Sequence, residues 1–199
     1  MKELVKHWWI LSLRALLAFA LALSVALVPG LMATFILESL AFPFMITAFA
    51  VYVALDGLVL TLLARQFPRH STARLLVFAQ ALSSIVIAFC LLTVWFERAT
   101  LWWFVLLSII QAAVTGIYEL AIAHHFKRHV LDAEATFVIG GVSLVFSFIL
   151  IVLRYSAVST ILNWIASYAL FFGGSMLWFS LRLRAAAHNS PPHGLRAAA

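Results

Sequence analysis

Apolar residues in this chain do not alternate with polar ones. They run in six long blocks, 8–28, 40–64, 75–96, 99–123, 135–153 and 155–181, joined by short polar connections. The ~30 Å hydrocarbon core of a bilayer takes roughly 20 helical residues, so each block predicts a membrane-spanning helix. Barrel strands would be about half as long and would alternate in polarity. The third, fifth and sixth blocks contain no Asp, Glu, Lys or Arg. The other three contain one each: Arg14, Asp56 and Glu119.

Composition agrees with this reading. The chain has 199 residues, of which 65% are hydrophobic and 10% charged. A soluble domain carries roughly 25% charged residues, so the expected class is an all-α integral membrane protein. The first block, at about 21 residues and with Arg14 inside it, exceeds the 7–15 apolar residues of a signal-peptide core and reads as a membrane helix. The single cysteine, Cys90, excludes an intrachain disulfide and a cysteine metal site.

The net charge of +6 changes the picture through its distribution. Lys2, Lys6, Arg65, Arg69, Arg74, Lys127, Arg128, Arg182, Arg184 and Arg196 fall on one side of the predicted membrane, and only Arg98 and Arg154 on the other. The positive-inside rule then predicts that both termini are cytoplasmic. The pattern gives no basic arm for nucleic acid and no phosphate-binding glycine loop. The last stretch, 185–199, is expected to be a disordered cytoplasmic tail.

The blocks also pair into units. "YVALDGLVL" (52–60), "QAAVTGIYE" (111–119) and "YALFFGGSM" (168–176) place Gly57, Gly116 and Gly173 at equivalent positions. The starts of the odd helices align as "LSLRALLA" (11–18), "VFAQALSS" (77–84) and "FVIGGVSL" (137–144), which sets Arg14, Gln80 and Gly140 opposite one another. The expectation is one membrane domain, 1–184, of three helical hairpins (5–70, 71–132 and 133–184) in a pseudo-threefold bundle.

These same stretches, with "WWILSLRALLAFALALSVALVPG", "TGIYELAIAHHFKR" and "ASYALFFGGSMLWFSLRLR", resemble the HdeD family of bacterial inner-membrane proteins. The resembling features are Arg14, Tyr52 with Asp56-Gly57, Thr115-Gly116 with Glu119, and Tyr168 with Phe172-Gly173. The chain departs from the family pattern at Ala15, where the family has Gly, and at Gln80, where it often has Glu. The resemblance implies a multi-pass inner-membrane protein with a role in acid resistance and no assigned reaction.

Depth counting places the polar residues. At ~1.5 Å per helical residue, Arg14, Gln80, Asp56 and Glu119 all fall in one layer of the cytoplasmic half. Tyr52 and Asp56 share a helix face, as do Gln111, Thr115 and Glu119. We expect an internal cluster in which Arg14 meets Asp56, Glu119 or both, surrounded by Gln80, Gln111, Tyr52, Thr115 and Tyr168. Two other roles are open to these residues. Arg14 can snorkel to the headgroups, and the acids can act as polar glue between helices. His125 and His129 have i, i+4 spacing, a weak metal signature that interfacial basic residues share. Ala15, Ala18 and Ala22, and Gly140, Ser143 and Ser147, form small-residue stripes suited to close helix packing. Trp8, Trp9, Trp102, Trp103 and Trp178 suit the interfaces.

No nucleophile–base pair or cofactor motif is present, so a non-enzymatic protein is expected, with the stress role that the resemblance implies. The alternative is a small channel or transporter that moves protons or a small solute through the polar cluster. The lipid bilayer is the one partner the pattern implies; a protein partner or homo-oligomer stays unspecified.

Overall fold

The computed structural model describes residues 8–32, 38–68, 71–98, 101–125 and 130–188. They form six α-helices and, among the described residues, no strand: α1 Trp8–Met32, α2 Glu38–Ala64, α3 Thr72–Arg98, α4 Leu101–His125, α5 Val130–Leu153 and α6 Val158–His188. All six are long and apolar enough to cross a membrane, so the chain reads as a multi-pass membrane protein. Pro43 lies inside α2, where its missing N–H removes one backbone hydrogen bond from the ladder.

Helix ends follow local chemistry. The Ser71 hydroxyl accepts from the Arg74 backbone N–H at 3.2 Å, an N-cap that starts α3. Between α5 and α6, Ser156 N–H donates to the Leu153 carbonyl at 2.8 Å and closes a tight turn. At the other boundary, α6 continues to His188, into the stretch expected to be a disordered tail. Residues 185–187 are alanines, the strongest helix formers. The rest of that tail, 189–199, lies outside the described residues.

Each helix packs on its chain neighbours, and α6 packs on α1, which closes a ring. The tightest packing is α1 on α6, α2 on α3 and α4 on α5, and α1 with α2, α3 with α4 and α5 with α6 pack more sparsely. Glycine makes each of the three tight contacts possible. A Cβ on Gly57 would lie 3.0 Å from the Ala81 carbonyl oxygen, one on Gly116 2.8 Å from that of Gly140, and one on Gly173 3.1 Å from that of Ala15.

The bundle has two chemically different halves. One end, here called the basic end, carries Arg65, Arg74, Arg182 and Arg184. There Arg182 lies over the Trp178 ring at 4.0 Å and Arg184 over Trp8 at 5.0 Å. The Ser180 hydroxyl donates to the Trp8 carbonyl at 3.0 Å and accepts from Ser12 at 2.6 Å, which ties α6 to the start of α1. The far half is filled by apolar side chains. Val25, Met45, Leu91, Phe104, Leu150 and Ile161, one from each helix, are buried in a single cluster. Outward faces are apolar too: Leu16 and Leu23 of α1 are 62% and 65% exposed, as lipid contact requires.

Candidate functional site

Arg14 sits on the inner face of α1 and is 2% exposed. Its Nε donates to Asp56 Oδ1 at 2.7 Å and its NH2 to Asp56 Oδ2 at 3.4 Å. The remaining nitrogen, NH1, donates to Glu119 Oε1 at 3.1 Å. One guanidinium thus spreads its three nitrogens over two carboxylates, bidentate to Asp56 and single to Glu119. Only arginine offers such a planar fork, and charge-assisted bonds of this kind are the strong ones. Phe172 covers the guanidinium, its ring centre 5.6 Å from the central carbon. Arg14 therefore does not snorkel to the headgroups; both acids hold it in the interior.

The layer around this group is also polar. Gln80 Nε2 donates to Glu119 Oε1 at 3.4 Å, so Glu119 is shared by α1 and α3. Gln111 Nε2 reaches Ser84 Oγ at 3.2 Å and Thr115 Oγ1 at 3.4 Å. The Tyr168 and Ser143 hydroxyls are 2.7 Å apart, and the Tyr168 ring stacks on Phe146 at 4.1 Å. Tyr52 packs beside Phe49, their ring centroids 6.2 Å apart. Asp56, Gln80, Gln111, Thr115 and Glu119 are all buried. Of the eight residues expected in the cluster, six are buried and Tyr52 and Tyr168 are half-buried.

Ser84, Ser143 and Phe172 complete the site and were not foreseen in it; Ser147, farther along α5, ties α5 to α4 instead. Ser147 donates to the Ile109 carbonyl at 3.2 Å. The two serines of α5 stood out only as small residues, and Phe172 only as part of a family-like ending. Their spacing was visible; the helices they would meet were not.

Two cavities flank the ion group along the bundle axis. The first, about 60 Å³, opens toward the basic end, and all six helices line it. Arg14, Gln80 and Glu119 form its polar floor. The second, about 30 Å³, lies on the other side of Arg14 and is lined by Tyr52, Asp56, Gln111, Thr115 and Tyr168, among others. Beyond it stands the apolar cluster. On α1, Val25 is eleven residues from Arg14, roughly 16 Å along the helix.

Two buried acceptors lack a donor among the described residues: Gln80 Oε1 and Gln111 Oε1. Gln80 lines the first cavity and Gln111 the second. His124 and His125 are exposed at the end of α4, while His129, the other half of the weak metal pair, lies outside the described residues. Among the described residues, no three His, Cys, Asp or Glu side chains converge.

The fold and the site together define a multi-pass helical membrane protein with a buried ion group on its axis. No known protein family matches the chain, and no curated protein or solved structure does.

Proposed function

We propose that this protein is a non-enzymatic inner-membrane protein of HdeD type, acting in acid or envelope stress resistance, in which the buried ion group ties the first two hairpins together. The observation that carries the reading is the closed axis. Fixed charges fill the centre of the ring, and a layer with one apolar side chain from each helix seals its far half. Such an arrangement suits a scaffold better than a conducting pore.

Pseudo-threefold symmetry is part of the proposal, and the packing supports it. The glycine contacts match Ala15 with Ala81 and Gly140. On that register Leu11, Val77 and Thr136 are equivalent, as are Arg14, Gln80 and Ile139. On the even helices Leu60, Glu119 and Met176 match, as do Leu63, Ile122 and Phe179. All four sets of three line the first cavity. The contacts set Ile139 opposite Arg14, one residue from the Gly140 that sequence alignment places there. Hydrogen bonds agree: Gln111 to Ser84 and Tyr168 to Ser143 are the same contact in the second and third hairpins. In the first hairpin the matching residue is Ala18, which offers Tyr52 no hydroxyl.

Orientation follows the positive-inside rule, with the basic end cytoplasmic. In a Cys90→Ala background, Thr72→Cys is expected to react with an impermeant thiol reagent only from the cytoplasm, and Tyr155→Cys only from outside. The reverse pattern would invert the topology.

The transport alternative draws on the two cavities flanking the ion group. Protein reconstituted in liposomes is expected to pass no proton flux above empty vesicles, and loss of the protein is expected to lower survival of its host in acid. A flux abolished by both Asp56→Asn and Glu119→Gln would replace the scaffold reading with transport. Unchanged survival would remove the stress role.

A further inference from the structure

We infer that the first cavity is a binding site for a primary alkylammonium ion, a short aliphatic amine in its protonated form. This inference rests on the cavity itself and does not depend on a stress role.

The charge balance comes first. Asp56 and Glu119 share a single guanidinium, so two carboxyl groups face one cation, and Glu119 has the smaller share of it. Asp56 takes two of the three Arg14 nitrogens; Glu119 takes the third. Burying uncompensated charge in low dielectric is expensive, so a monovalent cation at Glu119 would be held firmly. The second observation is independent of charge. Gln80, 0% exposed, lines the same cavity and leaves its Oε1 without a donor. The floor of the cavity therefore offers an anion and an orphan acceptor side by side.

The walls select the kind of cation. A hard metal ion takes six or more oxygen ligands. Among the lining side chains only Glu119, Gln80 and Thr136 carry acceptor oxygens, and the rest, apart from Arg14, are apolar. An ammonium group needs only three acceptors, and its alkyl chain would lie against Leu60, Leu63, Ile122 and Met176. Water could satisfy Gln80 and a proton could neutralise Glu119, but an ammonium ion does both at once. A volume of about 60 Å³ accommodates several water-sized groups, enough for the head of the ligand with its tail toward the mouth.

The test is calorimetric titration of the protein in nanodiscs with n-propylammonium at pH 7, with empty nanodiscs subtracted. Saturable binding is expected for n-propylammonium but not for n-propanol or sodium ion. Glu119→Gln, which keeps the shape and removes the charge, should weaken binding roughly tenfold or more. Leu63→Phe, which fills the cavity and leaves the ion group intact, should abolish it and decides the matter if Glu119→Gln fails to fold. No saturable binding of n-propylammonium would overturn the inference. So would equal binding of n-propanol, tighter binding of sodium ion, or full affinity in Leu63→Phe.

Discussion

Replacing Arg14 by leucine is expected to destabilise the bundle by about 3–5 kcal/mol, the range for breaking a buried ion pair from one side. The loss does not equal the worth of the bonds. Arg14→Leu leaves Asp56 and Glu119 facing each other across an apolar gap, with no cation to offset either. The readout is the thermal unfolding midpoint in detergent. Arg14→Lys should rescue little, because an ammonium cannot be bidentate to Asp56 and reach Glu119 as well. The triple variant Arg14→Leu, Asp56→Asn, Glu119→Gln should recover much of the loss, since it removes the uncompensated charge itself. A single Arg14→Leu variant within about 1 kcal/mol of wild type would show that the ion group does not hold the helices.

Gly116→Ala is the second large effect. Its Cβ would lie 2.8 Å from the Gly140 carbonyl oxygen and 2.7 Å from Leu144 Cγ. Backbone cannot rotate away as a side chain can, so α4 and α5 must separate. Overpacking of this kind costs about 1–3 kcal/mol. The effect should be graded. At Gly57 the nearest atom, Ile85 Cγ1 at 2.9 Å, belongs to a flexible side chain; at Gly173 the closest contact is 3.1 Å. Gly116→Ala should therefore cost most and Gly173→Ala least. Gly174→Ala is the control: nothing lies within 4 Å, and alanine is the better helix former. Its unfolding midpoint should match or exceed that of wild type. Equal losses at Gly116 and Gly174 would refute the close-contact account.

How much of this could be read from the chain varies with the kind of interaction. Helix number follows from apolar run length, because the bilayer imposes a minimum span. The common depth of Arg14, Asp56 and Glu119 follows from counting residues, because helical rise is constant. Helix pairing was not legible. Lipid is as apolar as the core, so burial leaves little one-sided pattern: α1 exposes Leu23 at 65% while burying Leu21 at 4%. On α5, Gly140-Gly141 gives two adjacent small residues, and only packing decides which one meets Gly116. The cavities were hidden for a related reason. Leu60, Leu63 and Ile122 look like any core residues until a void is found between them.

The closure of the ring by α6 on α1 has a consequence for how the chain assembles. The Ser12–Ser180 contact joins residues 168 apart in sequence, and α1 has its tightest packing with the helix made last. During synthesis α1 enters the membrane long before that partner exists. Asp56, in the very next helix, is then the earliest group able to neutralise Arg14, and Glu119 arrives only with α4. The pairing order along the chain thus gives the first helix an early electrostatic anchor and a late steric one. A chain stopped before α6 would carry its ion pair complete and its seam open.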